Sequence, residues 1–372
     1  MTTTKNNEHK KLNVPNLRFP EFQGEWEEYR IEDITVNISS GRCKSHSSNG
    51  KYNLYGSTGI IGKTDEACYE GNLVLVARVG ANAGSLQIIN EPCGITDNTL
   101  IIKPKKVDAQ YIYYFLQHFN LNRLIFGSGQ PLITGSMLKK VKISLGNIQE
   151  QNKLTRLLSL LDERIATQSK IIEDLKKLKS AIIEKLYKGI QGTWYSYRQL
   201  FSIINERNKQ LEYSNVLSAS QERGMVSRED LNLYIHFERS NISTYKIVKN
   251  GDYVIHLRSF QGGFAFSEQT GICSPAYTVL RPNNLLVYGY LSNYFISRDF
   301  VKSLIIVTYG IRDGRSINVD EWLDMKVVIP SKEQQTHIVN VIESIENKIK
   351  NEETYSNCLL NQKQYMLRQM FI

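Results

Sequence analysis

The sequence predicts an α+β protein: two globular domains separated by two long antiparallel coiled-coil helices, with an internal pseudo-twofold repeat. Three observations carry this. Asn147–Lys188 holds neither proline nor glycine, and Leu154, Leu158, Leu161, Ile165, Ile172, Leu175, Ile182 and Leu186 recur on alternating four- and three-residue steps. Gln168 and Lys179 fill the two polar positions of the same line. This is a heptad seam that asks for a partner helix, on a rod of roughly 63 Å at about 1.5 Å per residue. Second, Ser331–Phe371 matches it at a displacement of 184 positions, with Gln335 on Gln151, Ile338 on Leu154, Ile342 on Leu158, Ile345 on Leu161, Ile349 on Ile165, Leu359 on Leu175 and Met366 on Ile182.

Third, the regions ahead of the two helices answer one another, more loosely. Gly24-Glu-Trp26-Glu-Glu-Tyr29 is matched with Gly192-Thr-Trp194-Tyr-Ser-Tyr197, and Gly71 to Arg78 with Gly251 to Arg258. Cys93 is matched with Cys273, and Tyr111 with Tyr290. A drifting offset is what a duplication with loop insertions leaves behind. The chain therefore divides into an N-terminal globule (1–146), a central helix (147–190), a second globule (191–330) and a C-terminal helix (331–372). A second helix that starts where the second globule ends must run back along the first.

In the first globule, Pro15 to Phe22 is a proline-pinned extended lead-in and Ile31 to Ile38 begins the body. Leu73–Arg78 and Leu86–Ile89 are strands parted by Val79-Gly80-Ala-Asn82-Ala-Gly84, a loop whose glycines allow close approach to a ligand. Thr99–Ile102 is a buried strand closed by Pro104, and Asp108–Phe119 is an aromatic-rich helix. The second globule repeats the plan with a strand at Tyr253–Arg258, a Gly262-Gly263 loop, a strand at Tyr277–Leu280, a tyrosine-rich helix at Val287–Phe295 and a closing segment, Trp322–Ile329.

Composition is that of an ordinary soluble protein with many tyrosines, 21 in 372 residues. No apolar run approaches a membrane span, and the polar start lacks the apolar core of a signal peptide. The five cysteines form no CxxC, so they are expected to be reduced thiols in a cytoplasmic protein and not a disulfide frame or a zinc site. The net charge of +9 is spread over both globules and the central helix, while the last helix is neutral. Nucleic acid is the natural polyanionic partner of such a chain.

Enzymatic signals are few. Ser57-Thr-Gly59-Ile-Ile-Gly62-Lys63-Thr64 approaches a phosphate-binding loop, but Gly56 falls one residue too early and too little chain precedes Gly71 to form the required helix. A stand-alone ATPase and a coiled-coil adapter without DNA specificity remain as alternatives. The six histidines show no metal-ligand spacing, so neither a metal site nor a catalytic residue is assigned. Binding signals are better. Arg, Asn, Gln, Ser and Thr on close-approaching loops match the donors and acceptors of base edges. The candidates in the first globule are Arg42, Lys44, Ser57, Thr58, Arg78, Asn82, Ser128 and Gln130, with Lys139 and Lys140 as phosphate contacts. Those in the second are Arg223, Arg258, Ser259, Gln261, Arg312 and Arg315. Arg78 and Arg258 hold matching places at a strand end before a glycine loop.

The chain resembles the specificity subunits of type I restriction–modification systems. The resemblance rests on Leu17-Arg-Phe-Pro-Glu-Phe…Gly24-Glu-Trp26, Gly56-Ser-Thr-Gly-Ile-Ile-Gly62, Leu75-Val-Ala-Arg-Val-Gly80-Ala-Asn-Ala-Gly84, Gly271-Ile-Cys-Ser-Pro-Ala-Tyr-Thr-Val-Leu280 and the two helices, which open on Glu150-Gln151 and Glu333-Gln334-Gln335. It covers essentially the whole chain. It implies two target-recognition domains, each reading half of a bipartite site in double-stranded DNA, and helices that set the spacer. It also implies two modification (methyltransferase) subunits docked on the helices, restriction (translocase/nuclease) subunits beyond them, and S-adenosylmethionine, ATP and Mg bound by those partners. On this reading the chain holds no cofactor, catalyses nothing and touches no membrane.

Overall fold

The computed structural model describes residues 12–43, 47, 49–125, 131–220, 223–231, 239–256, 263–309 and 316–372. It divides into two compact units, one made of 1–169 with 354–372 and the other of 170–353.

Unit one is built on a four-stranded antiparallel sheet. Its strands are β1 (Glu27–Arg30), β2 (Thr35–Ser40), β3 (Tyr52–Gly56), β4 (Gly59–Thr64), β5 (Leu73–Ala77), β6 (Leu86–Ile89), β7 (Cys93–Ile95), β8 (Thr99–Pro104) and β9 (Lys142–Leu145). The main sheet runs β2-β8-β5-β6, a second layer runs β4-β3-β7, and β1 pairs with β9. β5 is apolar at every position and fully buried, as a central strand covered on both faces must be. Its side chains alternate. Val74 and Val76 face a core with Tyr111, Phe115, Leu154, Leu158, Leu367, Met370 and Phe371, while Leu73 and Leu75 face Cys93, Ile95 and Ile101 under the second layer. Helix α1 (Ala109–Phe119) starts where Asp108 accepts from the amide of Gln110 and stops at Asn120 in the left-handed region, φ 57°. The short α2 (Gly135–Lys139) is capped by Thr134.

The residues of the supposed phosphate loop form the β3–β4 hairpin, with Ser57 and Thr58 at its turn. β4 continues through Lys63 and Thr64, and the Lys63 ammonium donates to Asn53 Oδ1 across the hairpin at 2.9 Å. No helix follows to face a phosphate.

Helix α3 (Ile148–Tyr187) opens at Asn147, whose side chain accepts from the Glu150 amide at 2.9 Å. Glu150 is 2% exposed. It receives Arg18 Nε at 2.8 Å, Arg18 Nη2 at 2.9 Å and Trp26 Nε1 at 3.1 Å. A Cβ at Gly146 would lie 2.6 Å from Glu150 Oε2 and 2.7 Å from Trp26 Nε1, so the position before the helix accepts only glycine.

Unit two repeats the plan with β10 (Thr193–Ser196), α4 (Tyr197–Leu200), β11 (Phe201–Ile204), β12 (Leu217–Ser220), β13 (Gly224–Ser227), β14 (Lys246–Val248), β15 (Tyr253–Ile255), β16 (Phe264–Phe266), β17 (Gly271–Cys273), β18 (Thr278–Pro282), α5 (Arg298–Ser303), β19 (Thr308–Tyr309), β20 (Ser316–Ile317), α6 (Val319–Asp324) and β21 (Lys326–Ile329). Its main sheet, β11-β18-β15-β16, has the strand order of β2-β8-β5-β6. β10 pairs with β21 as β1 does with β9, and the parallel bridge Val216–Ile272 matches the parallel pairing of β3 with β7. The core gathers Tyr197, Phe201, Tyr253, Phe264, Phe295, Phe300 and Trp322, with Tyr197 and Trp322 stacked at 4.3 Å.

Two expectations are corrected. Val287–Phe295 is a chain of turns and not a helix, because Gly289 sits at φ 71° and the amides of Tyr290, Ser292 and Phe295 close separate turns. The match of Trp26 with Trp194 is also shifted. Tyr29 opposes Ile143 and Tyr195 opposes Val327, so the true offset there is 166. Gly192 thus holds the place of Trp26, and Trp194, 65% exposed, that of Glu28.

Helix α7 (Lys332–Met370) follows β21. In each unit α3 and α7 run antiparallel. In unit one Asp162 pairs with Lys363 at 2.5 Å, and Arg164 lies over the Tyr355 ring. In unit two Lys176 pairs with Glu353 at 2.7 Å and Lys179 with Glu346 at 2.6 Å. Lys179, one of the two polar positions of the seam, thus carries a cross-helix ion pair. On the heptad seam Leu154, Leu158, Leu161 and Gln168 are buried and Ile165, Ile172 and Leu175 half-buried, and towards the end of the helix Ile183 is buried in place of Ile182, the drift expected of a helix with 3.6 residues per turn. No helix among the described residues is long and apolar enough to cross a membrane.

Candidate nucleic-acid interface

Antiparallel pairing brings three distant points of unit one to one end of the main sheet. β2 ends at Ser40, β5 at Ala77, and β8, antiparallel to both, begins at Thr99. The amide of Gly41 donates to Thr99 O at 3.0 Å and that of Arg78 to Asn98 O at 2.9 Å. Arg78 is half-buried, with Nη1 3.4 Å from Ser40 Oγ. Its Nε and Thr99 Oγ1 are buried with no hydrogen-bond partner among the described residues. No carboxylate among those residues pairs with Arg78. A guanidinium held by its backbone and left with free donors is suited to a phosphate or to the acceptors of a guanine edge.

The chain around it is cut to fit. Gly80 and Gly84 take φ 75° and 89°. The amides of Ala83, Gly84 and Ser85 close the loop onto Gly80, Ala77 and Asn82, which leaves Asn82 exposed. Arg42, also exposed, follows Gly41, where a Cβ would lie 2.4 Å from Ile95 O and Thr96 O. Tyr55 O accepts from the amide of Thr96, and Gln87 Nε2 donates to Gly56 O, so the turn with Ser57 and Thr58 is anchored beside this end. The bridge Val79–Leu132 draws in the chain just past 126–130.

Arg42, Ser57, Thr58, Arg78 and Asn82 are thus gathered, and Ser40 and Thr99 join them. The latter two were missed because a serine or threonine at a strand terminus carries no signal until the pairing is known. Lys139 and Lys140 are not part of the group. They close α2 at the other end of β2, where Val141 O accepts from the Ile31 amide. Lys44, Ser128, Gln130, Arg258, Ser259, Gln261, Arg312 and Arg315 lie outside the described residues. Arg223 is exposed at the turn of the β12–β13 hairpin, with its Nη2 3.4 Å from Asp230 O, in the place that Ser57–Thr58 hold in unit one.

The neighbouring titratable groups are structural. Glu91 accepts from Tyr55 at 2.6 Å and Asn53 at 2.7 Å, which holds its carboxyl below the usual range, and burial pushes the Tyr55 phenol up to about 12. The Cys68 thiol is pushed up to about 11, chiefly by its hydrogen bond to Cys43. No cluster of three metal-ligating side chains occurs among the described residues.

Residues 23–177 match the family described as the type I restriction modification DNA specificity domain. The chain is 31% identical over 112 residues to the type I restriction enzyme MjaVIII specificity subunit of Methanocaldococcus jannaschii, covering 28% of this chain and 26% of the relative. It is 24% identical over 285 residues to the putative type I restriction enzyme MjaX specificity subunit of the same organism, covering 68% and 65%. The chain thus spans from about a quarter to just under two thirds of these relatives. A crystal structure of the type I restriction-modification S subunit from M. genitalium superimposes with a TM-score of 0.59 at 15% identity, covering 96% of this chain and 99% of that one. The fold is that of the type I S subunits. The family match covers residues 23–177, and both relatives are specificity subunits of type I systems.

Proposed function

We propose that the chain confers DNA sequence specificity by reading a bipartite target. Each unit takes one short half-site at the sheet end where its glycine loop emerges, and a spacer stays unread between them. The observation that carries this is the Arg78 guanidinium, without a carboxylate partner among the described residues, held at the sheet end by the bond of its amide to Asn98 O and by the contact of Nη1 with Ser40 Oγ, on a sheet plan that the second unit repeats. Two unlike copies of one reading domain suit an asymmetric two-part sequence.

On this reading the chain catalyses nothing. Two modification subunits dock on the long helices, restriction subunits join them, and S-adenosylmethionine, ATP and Mg belong to those partners. The assembly works on cytoplasmic DNA.

Footprinting of the methylating complex tests the proposal. Two protected stretches with an open spacer are expected, and a single contiguous stretch refutes it. Arg78→Ala should relax selectivity by about 1–3 kcal/mol at a position in one half-site and leave the other untouched.

A further inference from the structure

The end of unit one opposite Arg78 is organised around a single turn of 3-10 helix, Ile31–Ile34. Ile34 O accepts from the amides of Lys105 (3.0 Å) and Lys106 (3.5 Å), while the Ile31 amide donates to Val141 O at 2.9 Å, next to Lys140. Lys103 lies opposite Asn37 in the β2–β8 pairing. One short turn thus collects Lys103, Lys105, Lys106, Lys139 and Lys140 from two separate segments of chain. Four are exposed and Lys139 is half-exposed. None of the five has a carboxylate within ion-pair distance among the described residues.

The acidic groups nearby are already engaged. Glu28 holds Lys142 at 2.7 Å, Glu32 lies 3.6 Å from Arg30, Asp33 accepts from the Arg30 amide, and Asp108 caps α1. The lysines are therefore an uncompensated positive patch. A solvated surface tends to intersperse its signs, and like charges crowded on one turn repel unless an anion takes them up.

We propose that this patch grips the phosphodiester backbone of the DNA flanking the half-site read by unit one, without regard to sequence. The reading rests on the proposal that the opposite end of the same sheet reads bases. β8, which joins the two ends, has six residues, or about 17 Å at 3.4 Å per step. Along one strand of a duplex that is about five nucleotides. The proposal lays β8 along the duplex, which puts the grip on phosphates about five base pairs from the Arg78 contact. Lysine suits the task, since its ammonium is a mobile point charge that reads no base geometry.

The test uses the full chain in its assembled complex, carrying Lys105→Ala, Lys106→Ala and Lys140→Ala together. A matching triple Lys→Arg variant keeps the charge, and thermal unfolding checks that both variants fold like the parent. The slope of log K against log salt should become shallower by about 0.9 for each alanine. Affinity for cognate and unrelated duplexes should fall by the same factor, and the arginine variant should keep the parent's slope. An unchanged slope overturns the patch, as does a loss confined to the cognate sequence, which would make the lysines base readers. An unchanged slope with loss of partner subunits would assign the patch to a protein and equally overturn the proposal. If the unsubstituted complex shows no sequence preference, it is the reading of the opposite end that fails.

Discussion

Replacing Glu150 should be among the most damaging single changes in unit one. The carboxylate is almost fully buried and accepts three hydrogen bonds, two of them from Arg18, whose side chain is 16% exposed. Glu150→Ala strips the guanidinium of its counter-ion and leaves Trp26 Nε1 buried without an acceptor. Removing one partner of a buried pair costs about 3–5 kcal/mol, and an orphaned buried donor about 1–3 kcal/mol. The two overlap, and Arg18 keeps some solvent and its bond to Gly24 O, so the expected loss is about 3 kcal/mol. The nearby Lys153–Glu21 pair joins the same segments but is half-exposed on both sides, and Glu21→Ala should cost under about 1 kcal/mol. Urea unfolding read by hydrogen exchange in peptides covering Ile148–Leu161 follows this unit directly. In a double-mutant cycle Arg18→Ala and Glu150→Ala should couple by about 1.5–3 kcal/mol. A loss below about 1 kcal/mol, or a coupling no larger than that of Lys153 with Glu21, refutes the account.

Gly146→Ala places a methyl against Glu150 Oε2 and Trp26 Nε1 and should destabilise unit one by about 1–3 kcal/mol in the same assay. Gly224→Ala adds a Cβ 2.4 Å from Phe266 O at φ 66°; faster exchange in β12 and β13 is expected, with unit one unaffected. His118 is packed against Phe371, and burial lowers its pKa. The folded state therefore binds its proton less readily than the unfolded chain. Stability from this group is complete above the unfolded value of about 6.5 and falls as pH drops through that value; His118→Phe should flatten the fall between pH 7 and 5 in thermal unfolding. Lys63 bonds Asn53 within a hairpin, so the purified chain should hydrolyse no ATP and Lys63→Ala should change nothing in a phosphate-release assay.

Elements that bury a periodic face were legible in the sequence. The seam of α3, the all-apolar β5 and the capped α1 each record their environment in residues that are neighbours along the chain, at the spacing that their own backbone imposes. The same holds for the repeat, since a duplicated chain keeps the spacing of its core positions. The heptads also asked for a partner, and the cross-helix pairs supply it within each unit.

Other features depend on which strand ends meet, and spacing along the chain does not record that. The group around Arg78 joins Ser40, Arg78 and Thr99 only because β8 runs antiparallel between β2 and β5. The lysine patch forms because one turn of 3-10 helix accepts hydrogen bonds from one segment and donates to another. That Trp194 does not hold the place of Trp26 shows only in the pairing of β1 with β9 and of β10 with β21, which fixes which residues are equivalent. The turns at Val287–Phe295 follow from the backbone that Gly289 adopts in a packed aromatic core. The sequence by itself determined the helices, the central strands and the twofold repetition, because local periodicity encodes burial. Only the tertiary structure decided which side chains share a surface, because hydrogen-bonded pairing between distant segments carries no signature in either segment alone.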